Sequence, residues 1–367
     1  MKKKLIIALF TAAGFTLLFY SCQKQTVLKT LTPHLPEIPY EYEGCSSTGG
    51  CVDNTPSNNH LTANGATLGR VLFYDPRLSL NNTVSCASCH KQEFAFGDNS
   101  AASTGYEGLL TRRNTPALIN ENAKAGFFWD GRSASLEEMV LMPVQHKVEM
   151  GMEQLDVMEK KIAAIDYYPA LFQRAFGTPE VTRTRIARAL AQFVRAMQSK
   201  NSKVDRNDLS AFEKDGRTFF TTFKCSQCHK GADFGGNQIS SSYSGTSQTL
   251  NAANIGLDVS YPDKGIEELN GNAADDGAFI IPSLRNLQYT MPFAHDGRYK
   301  TIEDAIEHYN SGIQAHPMLD RTLIDPVTGK PVQMQMTTYQ KEALAAFLRA
   351  LSDGSVTGDQ KFSNPFN

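Results

Sequence analysis

The sequence predicts a mainly α-helical chain built as two tandem, related domains, and three observations point to this. Apolar residues recur at helical intervals in several segments, strand-like alternation is rare, and a set of short motifs occurs twice in the same order. The 367 residues are ample for two domains and a leader. The composition, 41% hydrophobic and 20% charged, is globular, and the net charge of -2 argues against a nucleic-acid partner.

The first element is a leader. Lys2, Lys3 and Lys4 precede an apolar stretch from Leu5 to Tyr20 that ends at Ser21-Cys22 without basic flanking residues. Residues 1–22 therefore read as a signal peptide of the lipoprotein type, with Cys22 acylated as the mature N-terminus. Ordinary cleavage nearby and an uncleaved anchor are the alternatives, and all three export the chain to the periplasm or cell envelope. Residues 23–60, rich in Pro, Ser, Thr, Gly and Asn, read as a flexible tether. Within it, Cys45 and Cys51 suit a small surface disulfide or two thiols in a linker, and His34 and His60 read as solvated.

The folded body follows as residues 61–200 and 201–357. Leu68, Val71 and Leu72 place a first helix within Ala63–Leu80. Helical spacing continues through Gln154–Phe176 and Arg183–Met197. It returns in Leu209–Lys224 and Thr337–Leu351, while the Gly-, Ser- and Asn-rich stretch 231–280 reads as loop.

The repeated motifs carry the chemistry. Cys86-x-x-Cys89-His90 and Cys225-x-x-Cys228-His229 are c-type haem attachment sequences. Two thiols three positions apart on a helical turn reach the two vinyl groups of one porphyrin. The next residue, a His, then lies beneath the iron. A single Cys-x-x-Cys could be a redox pair or half a zinc site; the following His, the second copy and the export signal favour two covalent haems. After the first copy come Arg113-Asn-Thr-Pro116, Trp129-Asp-Gly-Arg132 and Leu136-Glu-Glu138. After the second come Leu284-Arg-Asn286, His295-Asp-Gly-Arg298 and Ile302-Glu-Asp304.

With these motifs, Leu68-Gly-Arg-Val-Leu-Phe-Tyr-Asp-Pro-Arg-Leu-Ser79 and Val148-Glu-Met150, residues 60–355 resemble the bacterial di-haem cytochrome c peroxidases and the related methylamine-utilisation MauG proteins. The resemblance implies two cytochrome c-like domains with an active site near their interface. It implies a first haem held by His90, where peroxide reacts, with Glu149 over its open side as acid–base group. Trp129 would conduct electrons between the haems. A second haem would be held by His229 and by the residue fourteen positions after His295, a Met in the peroxidases and Tyr309 here. A Tyr there is the MauG-like arrangement, and a phenolate stabilises oxidised iron. His308 is the rival ligand; on a helix the two point about 100° apart.

Three further departures matter. No His occurs between His90 and His146, so the reductive ligand switch of typical peroxidases is absent. Met139 stands where the family has a pocket Gln, and His146-Lys147 replaces Asn-Pro. The resemblance further implies a calcium ion at Asn114, Thr290 and Pro292, a homodimer, and an external donor such as a small cytochrome c or a copper protein. The reading is a MauG-like di-haem peroxidase acting on hydrogen peroxide. The alternatives are an ordinary peroxide-detoxifying cytochrome c peroxidase and a non-enzymatic di-haem electron carrier.

Overall fold

A computed structural model describes residues 33–35, 54–235 and 251–366. The leader, Cys22, Cys45 and Cys51 lie outside the described residues. Helices dominate, and the described strands, β1 (Ala252–Ala253) and β2 (Phe279–Ile280), form one antiparallel pair.

Helix α1 (Ala63–Tyr74) is capped by Thr62, whose hydroxyl accepts from the Gly65 N–H, and ends before Asp75-Pro76. The helical spacing of 154–176 resolves into two helices, α2 (Leu155–Ala163) and α3 (Tyr168–Phe176), because Pro169 restarts the helix in its own first turn. Helix α4 (Arg183–Ala196) closes the first half. In the second half, α5 (Ala211–Thr222) opens with a Ser210/Glu213 capping box, α6 (Ile302–Glu307) with Thr301/Asp304, and α7 (Thr338–Arg349) with Thr337/Gln340. Directly after α6, residues His308–Gly312 form a π-helical turn.

Each half is organised by one helix crossing, and the two crossings match residue for residue. α1 crosses α4 where a β-carbon on Gly69 would lie 2.0 Å from the Ala189 carbonyl oxygen. α5 crosses α7 where a β-carbon on Gly216 would lie 1.9 Å from the Ala343 oxygen. One turn on, Phe73 meets Phe193 at 5.3 Å and Phe220 meets Phe347 at 5.5 Å between ring centroids. Phe96 and Phe234, each just after a Cys-x-x-Cys-His turn, complete the triads at 6.0 Å from Phe73 and Phe220. Aromatic edge contacts of this kind fix how each haem turn seats on its helix pair.

This close approach makes a stability prediction. Gly216→Ala should lower stability by about 1–3 kcal/mol, because the clashing atom is backbone that cannot rotate away. Gly358→Ala, where a β-carbon meets nothing within 4 Å, is the control that should change little. Urea unfolding of both variants checks the difference.

Two boundaries differ from expectation. Residues 54–60, expected to be part of the tether, are fastened to the first half. Asn54 Nδ2 donates to the Glu121 and Lys124 carbonyls, and buried Asn59 donates to Glu137 Oε1 at 2.6 Å. The chain end also returns from the second half: Val356 and Phe362 are buried in the first half's core, with Phe362 against Phe96 and Phe193. Arg70 and Tyr74 of α1 donate to the Ser363 and Phe362 carbonyls. No helix among the described residues is long and apolar enough to cross a membrane.

Candidate active site and haem pockets

Both Cys-x-x-Cys segments form a single helical turn whose following His closes it, His90 N–H to the Cys86 carbonyl at 2.9 Å and His229 N–H to Cys225 at 3.0 Å. In each the imidazole Nδ1 meets backbone carbonyl oxygen. His90 reaches Phe96 O at 2.8 Å; His229 reaches Phe234 O and Pro282 O, both at 3.1 Å. Donation from Nδ1–H fixes the tautomer that leaves Nε2 with a free lone pair, as a metal ligand requires. Burial pushes both imidazoles down to about 4 and so favours their neutral form. Burial likewise pushes the thiols up, Cys86 to about 12 and Cys89 and Cys225 to about 11.

These residues fit a haem. All six are only half-buried, so each turn leaves space beside it. Around the second turn this space is a cavity of about 500 Å³ lined by Cys225, Cys228, His229 and Tyr309, with Leu344, Leu348 and Met334 on its apolar walls. Size and lining match a large flat apolar cofactor.

Glu149 stands near the first turn, with His146 and Arg132 beside it. His146 Nδ1 lies 3.4 Å from Glu149 Oε1, and the Glu149 side chain is 27% exposed. Burial raises the Glu149 carboxyl above its usual range, while the positive charge available at His146 and Arg132 opposes that rise. The carboxylate in turn pushes up both thiols, Cys86 and Cys89, so it stands close to that turn. Its backbone is fixed by the Tyr106 N–H, which donates to the Val148 and Glu149 carbonyls at 2.8 Å. Arg132 is held at 3.0 Å by Asp130 and at 3.6 Å over the Phe128 ring. Met139 is buried and lines the large cavity.

Trp129 lies where the halves meet. Its Nε1 donates to the Asn114 carbonyl at 2.8 Å, its carbonyl accepts from Ile280 N–H at 2.9 Å, and it packs on Leu257 and Phe279. Asn114, Thr290 and Pro292 line one cavity with it. Asn114 N–H donates to the His295 carbonyl at 2.7 Å, and its Nδ2 to Ser100 O at 2.9 Å. Among the described residues, no group of three or more His, Cys, Asp or Glu side chains is disposed to hold a metal ion. A calcium site would therefore rest on amide and carbonyl oxygens. His308 is buried with Nε2 2.9 Å from the Ile255 carbonyl, whereas Tyr309 faces the cavity close to Cys225 and Cys228.

Several contributors escaped the sequence reading. Arg113 binds Asp130 at 2.5 Å and Asp263 through two contacts at 2.7 Å, joining the halves beside Trp129. Asp263 carried no motif signal. The carbonyls of Phe96, Phe234 and Pro282 have no side-chain signature, although a Phe after each haem turn recurs in the repeat.

Two haem turns, each seated on a Gly-crossed helix pair, define a di-haem c-type protein. Comparison makes the family explicit. Residues 63–211 match the family described as di-haem cytochrome c peroxidase. The chain is 35% identical to cytochrome c551 peroxidase of Nitrosomonas europaea, covering 69% of this chain and 73% of the relative. It is 32% identical to the methylamine utilization protein MauG of Methylorubrum extorquens, covering 81% and 80%. A crystal structure of a MauG-like protein associated with microbial copper homeostasis matches with a TM-score of 0.81 at 27% identity, covering 89% of this chain and all of that one. The chain belongs to the di-haem cytochrome c peroxidase family and is a MauG-like oxidoreductase with two c-type haems.

Proposed function

We propose that this protein uses hydrogen peroxide as oxidant, with a reaction site at His90 and Glu149, an electron store at His229 and Tyr309, and Trp129 between them. What supports this reading is that unlike groups accompany two like haem turns: a carboxylate lies close enough to the first to act on its thiols, and a phenol lines the cavity at the second. Bound there, each haem would supply a redox-active iron. Glu149 takes a proton from peroxide and returns it to the oxygen that leaves as water. Charge at His146 and Arg132 opposes the rise that burial imposes on this carboxyl. Because His308 Nε2 is engaged by the Ile255 carbonyl, Tyr309 is the residue free to complete the second site.

A calcium ion at Asn114, Thr290 and Pro292 would brace the backbone that receives the Trp129 N–H. The leader places the protein in the periplasm or cell envelope, anchored through Cys22. An external donor, a small cytochrome c or copper protein, returns the electrons to the monomer or a homodimer.

The test is an electron paramagnetic resonance spectrum of the diferric protein before and after one equivalent of hydrogen peroxide. One high-spin and one low-spin signal, both lost with peroxide, support the reading. Two low-spin signals indifferent to peroxide would sink it in favour of an electron carrier. Trp129→Phe should then slow electron transfer between the haems by about tenfold or more, since it keeps the ring packing but loses the indole and its bond to Asn114. Stopped-flow spectra of the second haem after peroxide addition measure that rate.

A further inference from the structure

We propose that Tyr339 is the surface exit for oxidising equivalents from the second haem site, giving an electron inward along Phe219 and Phe223 and a proton to Asp215. This rests on the peroxidase reading above. Trp129 is the sole tryptophan; it is half-buried where the halves meet and its N–H is taken by the Asn114 carbonyl, so it offers external donors little exposed indole. Tyr339, at the start of α7, is 50% exposed and is the one exposed tyrosine among the described residues.

Its ring is not isolated. It meets Phe212 at 5.4 Å and Phe219 at 6.2 Å, and Phe219 meets Phe223 at 6.2 Å. Phe223 lines the cavity that holds Cys225 and His229. A packed aromatic path therefore runs from solvent to the second pocket. Phenylalanines are hard to oxidise and act here as a dense bridge, with Tyr339 as the group that loses charge.

A phenol that loses an electron becomes a strong acid and must release its proton at once. Tyr339 Oη already donates to Asp215 Oδ2 at 2.5 Å. In the step, the Tyr339 O–H bond breaks, the proton passes to Asp215 and one electron reduces the oxidised second centre. An external one-electron donor then restores Tyr339 as Asp215 gives the proton back. A purely structural role, tying α5 to α7, predicts that the ring matters and the hydroxyl chemistry does not.

The experiment adds hydrogen peroxide to the diferric holoprotein without donor and follows the radical region by electron paramagnetic resonance and the ferric spectrum by absorbance. Wild type should show a tyrosyl signal, and peptide mass spectrometry should find oxidative products at Tyr339. Tyr339→Phe, which keeps the packing, should remove the signal and slow recovery of the ferric spectrum severalfold. Asp215→Asn should lower the radical yield with Tyr339 still present. Equal radical yield and recovery in wild type and Tyr339→Phe would overturn the inference while leaving the peroxidase reading standing. A wild-type ferric spectrum untouched by peroxide would overturn both.

Discussion

Glu149→Gln should cost about 10²–10⁴-fold in kcat/KM for peroxide while leaving both haems attached and the ferric absorption spectrum intact. The amide fills nearly the same volume and can still meet His146, so the Tyr106 bonds that hold the segment survive. What it loses is the capacity to accept and return a proton. The pH profile carries the sign. Glu149 must be ionised to act, and burial raises its carboxyl, so activity should fall on the acid side in a limb above the ordinary carboxyl range of about 4.3. His146 is the larger of the two opposing influences. His146→Ala should therefore move that limb to still higher pH while changing the plateau little. An acid limb that stays in place in His146→Ala, or a Glu149→Gln enzyme within a few fold of wild type, would remove Glu149 from the chemistry.

The parts legible in the sequence are those whose signal is local. Capping residues Thr182, Ser210 and Thr337 sit one residue before the helices they begin. The haem turns are written in five consecutive positions. Illegible features depend on backbone or distant partners. The break between α2 and α3 is easy to miss because Met158, Ile162 and Ile165 keep helical spacing up to it, although Pro169 marks the restart. The return of Phe362 to the first core needs the tertiary positions of Phe96 and Phe193, some 170 to 270 residues away in the chain. The π turn at His308–Gly312 is also silent in the residue pattern. It matters most, because it alters the helical geometry on which any choice between His308 and Tyr309 depended. π turns inside helices recur at functional sites for this reason.

Tyr309→Met should raise the midpoint potential of the second haem by on the order of a few tenths of a volt, within the ~0.8 V range that axial ligands span. A thioether favours reduced iron and a phenolate oxidised iron. The pocket alone does not favour the phenolate: burial pushes the Tyr309 phenol well above its usual range. The charge of ferric iron must therefore carry the deprotonation, and the gain is specific to the oxidised state. It follows that the Met variant should lose its peroxide-oxidised state faster and should accept electrons from mild donors that leave wild type ferric. Spectroelectrochemical titration of both proteins gives the shift directly. An unchanged potential and an unchanged low-spin spectrum would mean that Tyr309 is not the ligand. In that case His308 would have to exchange its Ile255 hydrogen bond for the iron, and His308→Ala would produce the shift instead.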